Sequence, residues 1–253
     1  MTDKVPKGWK KVKLGEVCYS ISYGYTASAK LDPVGPKFLR ITDIVADRIN
    51  WETVPYCEIS EENIEKYKLK IGDIVIARTG ATTGYNKIIK DDIKSVFASY
   101  LIRYKINEEI ADPFFVEYNL RSYNWKGFVK SIIGGSAQPG ANAKQFASFE
   151  FYLPPLPEQK AIAVVLSSLD DKIDLLHREN KTLEKMAETL FRKWFIEEAK
   201  DDWEEKLLKD IYTFEKGFEP GSKNYLEKKT NDGIRFIRVG DMLNEPSVYI
   251  KKN

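Results

Sequence analysis

The longest regular pattern in the chain lies between Gln159 and Glu198, where no Gly or Pro intervenes and apolar residues recur with heptad spacing. Setting a at Leu166, Ile173, Asn180, Ala187 and Trp194 places d at Ile162, Leu169, Leu176, Leu183 and Leu190, all aliphatic. The spacing predicts one long helix opening at Pro157, a residue suited to a first helical position, with Glu158 beside the positive N-terminus. At 1.5 Å per residue such a rod is roughly 60 Å long. A helix lying on a globular core usually carries a broader stripe over a shorter run, so the pattern favours a coiled-coil seam. Asn180 at an a position fixes register at some cost in stability. His177 falls at e, and Lys172, Glu179, Lys181, Glu184, Lys185 and Glu188 read as a solvated face.

Upstream the pattern changes to short apolar runs punctuated by Gly, Pro and Asn. FLRITDI (38–44), GDIVIAR (72–78), VFASYLIRYKI (96–106) and FEFYL (149–153) read as strands from their β-branched and aromatic content. Ser60 opens a helix with an incomplete capping box, and Asp112-Pro113 opens another that carries FFVEYNLRSYNW. Residues 1–155 are thus expected to form an α+β domain with mostly antiparallel or mixed strands, followed by the long helix over 156–200.

The chain repeats itself at long range. Trp9, Leu14 and Val17 match Trp203, Leu208 and Ile211 at an offset of 194, and FLRITDI matches FIRVGDM (236–242) at an offset of 198. Arg40 coincides with Arg238 and Asp43 with Asp241. A period this long means a duplicated domain, and residues 201–253 are expected to be a partial second copy. The seam needs another helix, from a second copy of the chain, another subunit or the remainder of copy two.

Composition narrows the chemistry. Of 253 residues, 40 are Lys or Arg and 38 Asp or Glu, with a single His and two Cys. Charge is uneven: residues 1–155 carry a net +4, and 156–200 and 201–253 each −1, a weak pointer to a polyanionic partner of the first domain. Cys18 and Cys57 have neither C-x-x-C spacing nor a nearby His, so neither a disulfide framework nor a zinc site is expected. With only His177, no Ser-His-Asp triad or two-His metal site can be drawn. No apolar run of membrane-spanning length and no cleavable leader is present, and a cytoplasmic location is expected.

Three stretches could carry function. RTGATTGYNK (78–87) ends a strand in Arg78 and sets Thr79, Thr82, Thr83 and Lys87 around Gly80 and Gly84. These are groups able to bind phosphate oxygens or, for Arg, guanine edges; a plain hairpin turn is the alternative. It lacks the ending of a Walker A loop. IIGGSAQPGANAKQF (132–146) offers Gln138 and Asn142 for adenine and Lys144 for phosphate; a flexible connection is equally compatible. RSYNWKGFVK (121–130) interleaves bases with aromatics, though Tyr123, Trp125 and Phe128 on a helix are more often core. The string LPPL (153–156) lacks the acidic or amide residue that an aminomethyltransferase needs, and no spaced carboxylates with a lysine mark a nuclease.

Taken in order, FLRITDI, GDIVIARTGATTG, then GGSAQPGANAKQFASFEFYLPPLPEQKAIA running into a helix with KMAETLFRKWF, the chain resembles the DNA specificity subunit of type I restriction-modification systems. The resemblance covers the whole chain. It implies a target recognition domain over 1–155, a conserved coiled-coil spacer helix over 156–200 and a partial second recognition domain over 201–253. It further implies a non-catalytic reader of double-stranded DNA that directs methyltransferase and restriction subunits to a split site. No cofactor is expected in this chain; S-adenosylmethionine and ATP are expected on the partner subunits. Counterparts of RTGATTG, GGSAQPGAN and LPPLPEQ do not recur after FIRVGDM, which leaves two-half-site readout by one chain open. A homodimer through the long helix could restore it. A stand-alone dimeric DNA-binding regulator is the alternative.

Overall fold

The computed structural model describes residues 5–134, 140–199, 203–213, 215–219, 221, 225–226, 233–237 and 248–251. The chain divides into two units, Met1–Glu184 and Lys185–Asn253. In the first, the elements are β1 (Lys10–Lys13), β2 (Cys18–Tyr23), β3 (Lys37–Leu39), α1 (Glu61–Tyr67), β4 (Ile74–Ala77), β5 (Asn86–Ile88), β6 (Ser95–Phe97) and β7 (Leu101–Ile106). They continue with α2 (Pro113–Arg121), α3 (Tyr123–Ile133), α4 (Ala143–Ala147), β8 (Glu150–Leu153) and α5 (Leu156–Arg192), the last of which runs past Glu184.

The run Ile74-Val75-Ile76-Ala77 is apolar at every position and suits only a strand covered on both faces. It lies inside an antiparallel sheet ordered β2-β7-β4-β5. Ile74 and Ile76 point into a core with Leu14, Tyr104, Phe115, Trp125, Phe146 and Phe149. Val75 and Ala77 point the other way, into a separate core with Leu39, Ile44, Leu69, Phe97 and Leu101. A single strand therefore carries both hydrophobic layers. β1 pairs with β8, and β3 runs parallel to β6, so the α+β expectation with mixed pairing holds.

Two of the expected strands differ in form. FLRITDI is a strand only over β3; Ile41–Ile44 form one 3-10 turn, because the Asp43 carboxylate accepts from the Arg40 backbone N–H at 2.8 Å and from Arg40 Nε at 3.0 Å. The run 96–106 is split into β6 and β7 by a turn in which the Leu101 N–H donates to Ala98 O. The turn admits Gly24 and Tyr25: a Cβ on Gly24 would lie 2.2 Å from Ala98 O, and Tyr25 N donates to Phe97 O. The helix capped by Asp112 stops at Ser122, whose hydroxyl accepts from Trp125 N and starts α3.

α5 begins at Leu156 and is followed by a π-helical turn at Lys193–Glu197. Its first turns belong to the domain: Gln159 and Ala163 are buried, and Ile162 packs on the larger core. The first seam position is thus a core residue. Leu166 is half-buried, whereas Leu169, Ile173, Leu176, Asn180, Leu183, Leu190 and Trp194 are exposed.

The second unit holds α6 (Leu208–Ile211) and the strands β9 (Tyr225–Leu226), β10 (Gly233–Phe236) and β11 (Val248–Lys251), which form a sheet ordered β10-β11-β9. Some positions of the sequence repeat fall among these elements. α6 stands 194 positions after the 3-10 turn Leu14–Val17. β11 is flanked by β10 and β9; in the first unit Tyr56 bridges both Lys37 and Lys30. Leu14 and Val17 are 0% and 1% exposed, while Leu208 and Ile211 are 68% and 64% exposed. Arg238 and Asp241 lie outside the described residues.

Candidate nucleic-acid interface

The segment 78–85 closes the β4–β5 hairpin. Ala77 and Tyr85 stay in register through Ala77 N to Tyr85 O and Gly84 N to Ala77 O, both 2.8 Å. Between them Thr83 N donates to Gly80 O and Tyr85 N to Thr82 O. Gly80 and Gly84 adopt φ of +77° and +88°, a region open to Gly at little cost. The turn stands on α3: Trp125 Nε1 donates to Gly84 O at 2.8 Å, and a Cβ on Gly84 would lie 2.7 Å from Val129. Trp125 stacks among Phe128, Phe146 and Phe149, so this aromatic stretch is core, with only Tyr123 fully outside.

The second predicted stretch returns to the same place. Thr79 and Gly140 form an antiparallel bridge, and Ala141 N donates to Arg78 O at 2.9 Å. Asn142 then caps α4: its Oδ1 accepts from Gln145 N, and Gln145 Oε1 accepts from Asn142 N. The α4 start is tied down by Ala143 N donating to the Tyr23 hydroxyl and by the Tyr104 hydroxyl donating to Ala143 O. Lys144 projects from this helix and is exposed. Gln138 lies outside the described residues.

The predicted residues therefore divide. Arg78, Thr79 and Thr82 lie in the first of the joined loops, and Lys144 lies on the short helix that follows the second. Thr83 is buried and its hydroxyl donates to Gly80 O at 2.7 Å, so it shapes the turn. Lys87 sits on β5, where its amine donates to Asp47 O at 2.9 Å and burial lowers its pKa; it belongs to packing rather than to the loop tip. The Asn142 amide oxygen is engaged in the cap.

Sequence inspection misses Tyr23 and Tyr100. Arg78 lies 5.4 Å from the Tyr23 ring and 6.0 Å from the Tyr100 ring, within cation–π reach. Both rings are partly exposed, as is that of Tyr85. They come from β2, from the turn before β7 and from the loop itself. Only folding joins them, and of the three only Tyr85 lies within the loop motif 78–87.

The domain is clasped to the start of α5. Gln159 Oε1 accepts from Asp112 N, and its Nε2 donates to Pro154 O and Ile110 O. Asp170 accepts from the Tyr118 hydroxyl at 2.9 Å and from Arg121 at 2.7 Å. Partial burial works against its charge, but those two donors outweigh it and hold the carboxyl below its ordinary pKa. Arg48 pairs with Asp174 one turn further on. No helix among the described residues is long and apolar enough to cross a membrane.

The family model for the type I restriction modification DNA specificity domain matches residues 6–185. The putative type I restriction enzyme MjaX specificity subunit of Methanocaldococcus jannaschii is 28% identical across 98% of this chain and 64% of its own length. The MjaIX specificity subunit of the same organism is 31% identical across 93% of this chain and 58% of its own. This chain thus spans about 60% of the length of these relatives. Among solved structures, the HsdS subunit from Thermoanaerobacter tengcongensis superposes with a TM-score of 0.52 at 20% identity, over 78% of this chain and 50% of that one. The type I S subunit from M. genitalium gives 0.56 at 17% identity, over 90% and 60%. At these identities the solved structures speak to the fold, a mixed domain followed by a long helix.

Proposed function

Since the chain belongs to the family of type I restriction-modification DNA specificity domains, we propose that it is a non-catalytic specificity subunit. It binds double-stranded DNA in sequence-specific fashion and directs methyltransferase and restriction subunits to the target. Cofactor chemistry, with S-adenosylmethionine and ATP, resides on those partners, and a cytoplasmic location goes with this role. The observation that carries the reading is the union of the two Gly-rich segments at Thr79 and Gly140. It joins the loop of Arg78, Thr79 and Thr82 to the segment that leads into Lys144, in a domain with a positive charge balance.

Residues 1–155 form the recognition domain in this scheme, the long helix within 156–200 is the spacer, and residues 201–253 are a partial second recognition domain. The exposed seam from Leu169 to Trp194 takes another helix, which a second copy of the chain could supply. Fluorescence anisotropy with labelled duplexes tests the DNA role. The full chain with its methyltransferase subunit should bind one duplex sequence over others, with affinity falling steeply as salt rises. Lys144→Ala should weaken all duplexes alike. Leu176→Glu combined with Leu183→Glu should abolish helix-mediated association, read by light scattering, while leaving the recognition domain folded. A chain that binds no duplex under these conditions overturns the reading, as does a dimer that binds DNA but ignores the methyltransferase.

A further inference from the structure

Five arginines lie in residues 5–134, and four of them are engaged by carboxylates: Arg40 by Asp43, Arg48 by Asp174, Arg103 by Asp73 and Arg121 by Asp170. Arg78 alone has no ion pair among the described residues. Its side chain is nevertheless fixed. Nε donates to Ser99 O at 3.0 Å, and the guanidinium lies 5.4 Å from the Tyr23 ring and 6.0 Å from the Tyr100 ring. Its backbone is held on both sides, N–H to Tyr100 O and C=O from Ala141 N. Tyr23 is itself anchored through its hydroxyl to Ala143 N.

We propose that Arg78 is a specificity-determining residue that reads one guanine of the target in the major groove. The inference rests on the loop being the DNA-facing edge, and it adds the base and the atoms. With Nε tied to the protein, the two terminal nitrogens remain as a planar fork, whose spacing matches N7 and O6 of guanine, two acceptors that no other base presents together there. A phosphate contact does not require a side chain held at this many points, because it positions without discriminating. Lys144, exposed and outside any ion pair among the described residues, has the looser character suited to phosphate. Tyr23 and Tyr100 act as positioning residues: they limit the guanidinium to one orientation before DNA arrives, so less order is imposed at binding.

Selection from a random duplex library by the full chain, with its methyltransferase subunit, tests the proposal. Wild type should enrich a motif containing a G·C pair whose replacement costs about 10- to 100-fold in affinity. Arg78→Gln should move the preference at that one pair toward A·T or erase it, leaving the other positions of the motif unchanged. Arg78→Lys, which keeps the charge and needs less space, should relax the same position, and Tyr100→Ala should reduce discrimination there by a smaller factor. Thermal unfolding of each variant establishes that it folds. An unaltered motif in both Arg78 variants overturns the proposal. So does a uniform loss on all sequences with a shallower salt slope, the behaviour of a phosphate contact. Failure of wild type to enrich any motif overturns the DNA-reading function itself, a result distinct from either.

Discussion

Gly80 and Gly84 differ by four positions in the same loop, share a positive φ, and should respond very differently to alanine. At Gly80 a Cβ would meet nothing within 4 Å, so Gly80→Ala costs only the left-handed backbone conformation, about 1–2 kcal/mol. At Gly84 the same backbone cost applies, and the methyl would also lie 2.7 Å from both γ carbons of Val129, which is buried on α3. Overpacking of this kind adds about 1–3 kcal/mol, because either the hairpin or α3 must shift, and the Trp125 N–H bond to Gly84 O ties the two together. Gly84→Ala should therefore cost about 2–5 kcal/mol in total. Urea denaturation of the two variants beside wild type gives both numbers. Removing the obstacle supplies a second check: the double variant Gly84→Ala with Val129→Ala should be destabilised by about 1 kcal/mol less than the sum of the single changes. Equal losses at Gly80 and Gly84, or strict additivity with Val129→Ala, would refute the argument that the loop is braced from below by α3.

Two further perturbations probe the clasp and the core beside it. Glu117 is 4% exposed, and burial raises its pKa against the partial help of Arg121 and Lys87; its ionised form is thus disfavoured in the folded state. Stability contributed by this group is greatest when it is protonated and declines as pH rises through the ordinary carboxylate value toward the raised one. Glu117→Gln is expected to unfold at a higher temperature than wild type at pH 7, with the difference shrinking below about pH 4; a lower unfolding temperature at pH 7 would contradict this. Gln159→Ala leaves the Asp112 N–H and the carbonyls of Pro154 and Ile110 without their buried partner and should cost about 2–4 kcal/mol, measured by denaturation; a change below about 0.5 kcal/mol, the range of ordinary surface substitutions, would mean water replaces the amide.

Much of this architecture is legible in the sequence where its cause is local or periodic. α5 is written in heptads, α2 in the Asp112-Pro113 start, and the repeat in strings that recur at offsets of 194 and 198. Long-range closure is what escapes. The run 96–106 has uniform β propensity, and its break is imposed by Gly24 and Tyr25 from a distant segment. Asn142 looks like an adenine reader in composition, but Gln145 three positions on makes it a cap. Lys87 looks like part of the loop motif, but the pairing of β5 with β4 turns it toward Asp47. Ile162 fits the seam by spacing, yet the first turns of α5 are already occupied by the domain core.

By itself the sequence determined what depends on periodicity and composition: a mixed domain, a long helix with one apolar seam, a duplicated pattern, and two Gly-rich segments bearing DNA-compatible side chains. Tertiary structure decided which of those side chains are available. Strand pairing brings Thr79 to Gly140, and the pairing of β2 with β7 brings Tyr23 and Tyr100 within about 6 Å of the Arg78 guanidinium. Ion pairing elsewhere engages the other arginines of the domain. The physical reason is that a donor's availability is set by what else lies within hydrogen-bonding distance, and those neighbours are assembled from segments that only burial of the two cores on either side of β4 brings together.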